Sequence, residues 1–151
     1  MNKKLLSAVS AALLAGTLLV GCGSSKTEGP QDGTYKAEFS EADSHGWTGF
    51  VELTIEEGKI VDCKADYKNE EDKLKSEDED YKAQMEPVAK TYPKEFSEKF
   101  SKQLIEKGNI EEVDSITGAT TSSSDFKLLA TEALKAAEKG NTDVVKVKPA
   151  K

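Results

Sequence analysis

Apolar and polar residues alternate in the middle of the chain, and this pattern predicts a β-hairpin with one buried face. The first strand places apolar side chains at every second position, which are Val51, Leu53 and Ile55. The pair Glu57-Gly58 predicts the turn. The second strand alternates at Val61, Cys63, Ala65 and Tyr67. An earlier stretch, "DGTYKAEFS", opens with a turn pair and predicts one more strand.

Farther along, apolar residues recur every three or four positions, which predicts three helices. The first, in "SEDEDYKAQMEPVAK", opens with the capping-box pair Ser76 and Glu79, and Pro87 is expected to kink or end it. The second begins near Pro93 and stops at Gly108. The charge run "KNEEDKLKSEDEDYK" is predicted to be a solvated loop and helix face.

The helices differ in their apolar faces. That of the first consists of Tyr81, Met85 and Val88. That of the second consists of Phe96, Phe100 and Leu104. That of the third, which ends at Gly140, consists of Phe126, Leu129, Ala130, Ala133, Leu134 and Ala137. Because the strands precede the helices, we predict one α+β domain with a small antiparallel β-sheet packed against helices. The tail "NTDVVKVKPAK" is predicted as a loose end that could add an edge strand.

The N-terminal segment predicts a secretory signal peptide. Lys3 and Lys4 precede an apolar run that is short for a membrane span, which needs roughly 20 residues. The run ends in "LVGC", which looks like a bacterial lipobox in which Cys22 is lipidated and becomes the mature N-terminus. The following "GSSKTEGPQDG" predicts a flexible tether. We divide the chain into a signal peptide (1–21), a lipidated Cys and tether (22–31), a domain (32–140) and a tail (141–151).

Composition narrows the chemistry. The net charge is −7, and an acidic domain is a poor partner for nucleic acid. Arginine is absent from the sequence, so bidentate arginine recognition of a phosphate is unavailable. With Cys22 lipidated, Cys63 has no partner for a disulfide, and no cysteine cluster can hold a metal. We interpret Cys63 as a small apolar core residue rather than a redox group.

A hydroxyl-rich stretch, "DSITGATTSSSDF", lies directly before the third predicted helix. Ser122 or Ser123 can cap that helix, with Asp125 as the acid of a capping box, and the hydroxyls would then be ordinary caps. The residues from Thr117 to Thr120 would lie beside the positive end of the helix. Free N–H groups at that end favour an anion such as a phosphate.

The loop before the cap is suited to modification by another enzyme. Gly118 permits a positive φ and Ala119 leaves the loop uncrowded, so the hydroxyl of Thr120 can point outward. The single histidine, His45, is distant in sequence and supplies no pattern for Ser/His/Asp catalysis. We therefore predict no catalytic residue.

The stretch "DSITGAT" (114–120) matches the flavinylation motif Asp-x-x-(Ser/Thr)-Gly-Ala-(Thr/Ser), so the chain resembles extracytosolic FMN-binding domains. That family includes flavin subunits of the Rnf and sodium-pumping quinone reductase complexes. It also includes small lipoproteins of Gram-positive bacteria used in extracellular electron transfer. The resemblance extends over most of residues 32–137, through "DGTYKAEF", "HGWTGFVELTIEEGKIVDCKADY" and "FKLLATEALKAA".

The resemblance implies that Thr120 carries FMN through a phosphoester bond. A separate flavin transferase would make this bond, using FAD as donor and magnesium as its own cofactor. By the same resemblance Asp114 serves loop geometry or recognition by the transferase, although it is equally well read as an ordinary Asx-turn residue. The remaining residues expected at the cofactor are Thr117, Gly118, Ala119 and Thr121.

On this basis we expect a lipid-anchored electron carrier on the extracytosolic face of the cell membrane. It would take electrons from a membrane quinol or flavoprotein donor and pass them to an extracellular acceptor. Whether it acts as an enzyme within a reductase system is left open. The flavin ring would need a partly apolar shelf, for which the candidates are Tyr35, Trp47, Phe50, Tyr67 and Phe126. We hypothesise that His45 tunes flavin protonation.

Two alternatives stay open. The first is a solute-binding or immunogenic surface lipoprotein without flavin, in which the hydroxyl-rich loop is only a helix cap. The second concerns the signal peptide, because related Gram-positive lipoproteins release peptide pheromones from the apolar stretch before the lipidated cysteine. Here that stretch is "LLAGTLLVG", and such a peptide could coexist with electron transfer.

Overall fold

The computed structural model describes residues 29–150, so the predicted signal peptide, Cys22 and most of the tether lie outside the described residues. The strands are β1 (Gly33–Phe39), β2 (Thr48–Glu56), β3 (Lys59–Lys68) and β4 (Val145–Val147). The helices are α1 (Glu79–Ala89), α2 (Pro93–Lys107) and α3 (Thr120–Glu138). Short 3-10 helices span Lys75–Glu77 and Ile110–Glu112. Within residues 29–150, no helix has the length and apolar character that a membrane crossing requires.

The strands form one sheet in the order β3-β2-β1-β4. β1, β2 and β3 pair antiparallel, and β2 and β3 form the predicted hairpin around Glu57-Gly58. β4 comes from the tail and pairs parallel to β1, with Ala37 opposite Val145. The α+β prediction is confirmed. The sheet is mixed rather than purely antiparallel, and its fourth strand is formed by residues after Gly140. The reason is that α3 packs on β1 and β2 and returns the chain to the free edge of β1.

The predicted alternation in β3 is wrong at its start. Ile60 is buried, whereas Val61 is 44% exposed. The pairing with β2 shifts between Thr54 and Ile55, so that Ile55 faces Ile60 and Thr54 faces Asp62. This β-bulge leaves Val61 without a partner and places the buried apolar residue one position earlier, at Ile60. Cys63 returns to the predicted face.

The core lies between one face of the sheet and helices α2 and α3. α2 packs mainly on β3, and the rings of Phe100 in α2 and Phe126 in α3 stack with centroids 5.0 Å apart. Burial raises the pKa of the Cys63 thiol to about 12, so it stays protonated at neutral pH. The interpretation of Cys63 as a core residue is confirmed.

Helix boundaries correct two predictions. α1 begins after Asp78, whose carboxylate accepts the N–H of Tyr81 at 2.9 Å, so the predicted capping box of Ser76 and Glu79 is wrong. Ser76 lies in the preceding 3-10 helix. Pro87 does not end α1, which continues to Ala89. α2 begins at Pro93 and ends at Lys107, directly before Gly108, as predicted.

Candidate functional site

The turn before α3 is fixed by contact with the end of α1. Gly118 has φ of +84°, which confirms the predicted positive φ. A Cβ atom at this position would lie 2.1 Å from the backbone oxygen of Ala89. Glycine is therefore required twice, by the backbone conformation and by the close approach of α1. Ala119 follows and is buried, whereas the side chain of Thr120 is exposed.

The prediction that Ser122 or Ser123 caps α3 is wrong. α3 begins at Thr120, so Ser122 and Ser123 lie inside its first turn. The buried hydroxyl of Ser123 instead accepts the N–H of Ile116 at 3.0 Å and donates to the carbonyl of Ala119 at 2.8 Å. Ser123 thereby holds the turn against the helix. α3 thus begins three or four residues earlier than expected, and Ser123 lies on its buried face.

The start of α3 is left open. The residue before it, Ala119, has no side chain that could cap, and no acidic residue lies in the first turn. Among residues 29–150, the N–H groups of Thr120, Thr121 and Ser122 have no hydrogen-bond acceptor. Such N–H groups, together with the helix dipole, attract an anion.

A cleft of about 560 Å³ opens beside these N–H groups. The segment 118–122 lines one side, and the loop containing Asp43 and His45 lines another. The other lining residues come from the end of β3, the 3-10 helix, α1 and α3; they are Tyr67, Lys75, Tyr81, Met85 and Asp125. A space of this size lies within the range of small-molecule sites. The structure thus brings His45 and Tyr67 to the predicted loop.

Burial and hydrogen bonding both affect the pKa values of two residues at the cleft, Asp125 and Tyr67. The hydroxyl of Tyr67 donates to Asp125 at 2.8 Å, so Asp125 is not the acid of a capping box. Burial raises the pKa of the Asp125 carboxyl, and the nearby Asp43 carboxylate raises it further. Burial also raises the pKa of the Tyr67 hydroxyl, and Asp125 adds to that effect. The Tyr67 hydroxyl therefore keeps its proton and donates the hydrogen bond, and the Asp125 carboxylate accepts it.

Lys75 was missed by sequence reasoning, which assigned it to a solvated charge run. It is only 6% exposed. Its Nζ lies 4.2 Å from the ring centroid of Tyr81, 4.7 Å from that of Tyr67 and 5.6 Å from that of Trp47. The charge run is solvated elsewhere, but this one lysine points into an aromatic cage.

The remaining predicted site residues, Asp114 and Thr117, are not among the residues that line the cleft. Asp114 is exposed and does not line it; its carboxylate accepts a hydrogen bond from Lys107 at 2.9 Å, which lowers the pKa of Asp114. Thr117 is also exposed, on the solvent side of the turn.

The aromatic candidates separate into two groups. Tyr35 and Phe126 belong to the core, at 1% and 3% exposure, so they cannot reach a ring in the cleft. Phe50 is also buried, with the Lys36 Nζ 4.8 Å above its ring. Tyr67 lines the cleft, and Trp47 packs edge-on against Tyr81 with centroids 6.3 Å apart.

Tyr81 and Met85 are the apolar cleft residues that sequence reasoning did not assign to the site. Their spacing of four residues, on the predicted apolar face of the first helix, was the available signal. No residue of α1 is buried, and Val88 on the same face is 84% exposed. α1 therefore borders the cleft with a half-buried face. Within residues 29–150 no group of three or more His, Cys, Asp or Glu side chains could hold a metal ion.

The chain is similar to known proteins along most of its length. A family model described as "FMN-binding domain" matches residues 46–135. The "15 kDa lipoprotein" of Treponema pallidum (strain Nichols) is 36% identical over 134 residues, which are 89% of this chain and 93% of that protein. A crystal structure of a Clostridium perfringens protein has a TM-score of 0.76 and 39% identity, and the match covers 79% of this chain and 98% of that one.

Proposed function

Because this chain belongs to the FMN-binding domain family, we propose that it is a flavin-binding lipoprotein that carries FMN in a phosphoester bond on Thr120 and transfers electrons. The observation that carries this proposal is the position of Thr120. Its exposed hydroxyl stands at the start of a helix with three free N–H groups, at the rim of the cleft. A separate flavin transferase would form the bond by transferring the FMN unit of FAD to the Thr120 hydroxyl; the pyrophosphate bond of FAD would break, and AMP and the hydroxyl proton would be released.

The residues of the cleft fit such a group. The N–H groups of Thr120, Thr121 and Ser122 can meet the phosphate charge without an arginine. Gly118 and the buried Ala119 hold the turn in place, and Ser123 fixes it from below. Because the turn is set before modification, the hydroxyl is presented to the transferase at low entropic cost.

The walls of the cleft would shelter the ring. The rings of Tyr67 and Tyr81, with the side chain of Met85, supply apolar surface beside Thr120. FMN when bound supplies the redox chemistry, which none of the described side chains provides by itself. The protein contributes orientation, partial exclusion of water and charge. The exposed Asp114 and Thr117 are available to the transferase.

We further propose that Cys22 carries a lipid and holds the domain on the extracytosolic face of the membrane. The support is the lipobox pattern before Cys22, together with the lipoprotein name of the Treponema pallidum relative. In this position the electron donor would be a membrane quinol or flavoprotein, and the acceptor would be extracellular. A covalent bond suits this location, because a dissociated flavin would be lost from the cell.

Intact mass tests the attachment. The mature domain is co-expressed with a flavin transferase in the export compartment, beside a known flavinylated domain that reports transferase activity. We expect the wild type and Thr120→Ser to gain the mass of one FMN, and Thr120→Ala to gain none. Thr121→Ala, which removes the neighbouring exposed hydroxyl, is the matched control and should be modified. An unmodified wild type beside a modified reference domain would favour the surface lipoprotein without flavin.

A further inference from the structure

The Lys75 side chain is largely buried, and it lines the cleft with a positive charge that has no close ionic partner. The nearest carboxylate oxygen, Asp43 Oδ2, lies 4.0 Å from Nζ, at the limit of an ion pair. Among residues 29–150 no acceptor lies within hydrogen-bond distance of this Nζ. Burying a charge is costly, and three aromatic rings compensate only in part. An ammonium group held in this way beside a cleft can still form an ionic interaction with an anionic ligand.

The backbone that carries Lys75 is built to hold it in place. The buried carboxylate of Asp66, near the end of β3, accepts the N–H of Ser76 at 3.2 Å and its hydroxyl at 2.5 Å. A β-bridge between Lys68 and Leu74 closes the intervening loop. The residues on both sides of Lys75 are therefore tied to β3. Its charge is preorganised, so stabilising an anion there needs little reorganisation.

We propose that Lys75 is the charge that sets the reduction potential of the flavin, by stabilising the extra negative charge that the ring carries after reduction. This inference rests on the proposed attachment of FMN to Thr120. Lys75 is the one lysine among the described residues lining the same cleft, where Asp43 and Asp125 supply the carboxylates and His45 the imidazole. Tyr67 and Tyr81 face its ammonium group from β3 and α1.

The sign of the effect follows from charge balance. Once FMN is attached, two electrons from the donor and one proton from solvent would reduce the neutral ring and leave one negative charge on it. Both electrons would pass on to the acceptor, which would be reduced, and the proton would return to solvent. A fixed cation favours the charged reduced form over the neutral oxidised form. Lys75 therefore raises the potential, and Asp43 lowers it by offsetting part of that charge.

Redox titration of the flavinylated domain tests the inference. Lys75→Met removes the charge but keeps an apolar stem of similar length. We expect the equilibrium constant for two-electron reduction to fall at least tenfold, which is about 30 mV. Lys64→Met, at an exposed position of β3, removes the same charge from the surface and should leave the potential near that of the wild type. Lys75→Arg keeps the positive charge, so its reduction potential should stay near that of the wild type.

Intact mass, recorded on every variant, separates the failures. A Lys75→Met protein that carries FMN at the wild-type potential would overturn the inference and leave the proposed function intact. Should Lys75→Met receive no FMN, Asp43→Asn decides, because it keeps acceptors for the N–H groups of His45 and Trp47. It is expected to raise the potential, and an unchanged or lower value would overturn the inference. A wild type without FMN would instead refute the proposed function.

Discussion

Helices α1 and α3 begin in opposite ways. α1 begins after Asp78, whose carboxylate accepts a first-turn N–H, and its first turn adds Glu79 and Asp80. α3 begins after Ala119, with no side-chain cap and no acidic residue in its first turn, although its first five residues all carry hydroxyls. The chain therefore satisfies one helix start with its own side chains and leaves the first N–H groups of the other without an acceptor among residues 29–150.

The contrast shows that hydroxyl content does not identify a cap. The Ser123 hydroxyl is used beneath the turn, and the Ser124 hydroxyl donates back to the carbonyl of Thr120 at 3.3 Å. Neither reaches the free N–H groups. Four substitutions test the contrast between the two helix starts.

Gly118→Ala should have the largest effect on stability, because it disrupts the turn that opens α3. The new Cβ would meet the Ala89 oxygen, and the left-handed backbone adds its own cost, so we expect a loss of about 2–4 kcal/mol. Urea unfolding measures the loss. Gly108→Ala, at φ of +65° with nothing within 4 Å, should lose only the backbone part, roughly 1–2 kcal/mol. Equal losses would show that contact with α1 is unimportant.

Ser123→Ala should cost about 1–3 kcal/mol, because the N–H of Ile116 would lose its acceptor. The same unfolding experiment on Ser124→Ala provides the comparison, since that hydroxyl is exposed and the change should stay within about 0.5 kcal/mol. If the two serines proved equivalent, Ser123 would not be what holds the open helix start.

Asp78→Ala should remove the cap of α1 and destabilise the domain less than Ser123→Ala, because Asp78 acts at an exposed helix start. The N–H of Tyr81 lowers the pKa of Asp78 in the folded state. Its contribution is therefore present above the unfolded pKa of about 3.9 and is lost as pH falls through the lower folded value. As pH falls below 5, the thermal unfolding temperature should decrease less steeply in the variant than in the wild type. Parallel pH profiles would exclude this capping contribution.

Thr120→Ala should change the stability of the unmodified domain least, within about 0.5 kcal/mol, because its side chain is exposed. Comparing unfolding of the unmodified variant and wild type, both produced without the transferase, measures this. A clear loss would mean that the hydroxyl supports the fold, as a cap does. The expected unchanged free energy of unfolding would indicate that the Thr120 hydroxyl serves modification rather than the fold.

Features set by local sequence could be predicted. The β2–β3 hairpin follows from alternation and Glu57-Gly58, and the limits of α2 follow from Pro93 and Gly108. The positive φ of Gly118 also follows from its position in a turn. In each case the chemistry of neighbouring residues determines the conformation.

Features that depend on distant contacts could not be predicted. Val61 becomes the bulged residue because β3 shifts against β2, a matter of pairing between strands. Lys75 is buried because Tyr67, Tyr81 and Trp47 surround it after folding, and its acidic and basic neighbours in sequence gave no indication of this. Residues along α1 could be placed on one face, but not assigned to a cleft.

The position of β1 has a mechanical consequence. The chain enters the domain through this strand, which lies between β2 and β4 rather than at an edge. A pull on the N-terminal side, as from a lipid anchor under flow, would act along β1. The hydrogen bonds to both neighbours run across that direction, so they would be sheared together rather than opened one at a time. If the chain is anchored as proposed, the short C-terminal strand would reinforce the point at which it bears load.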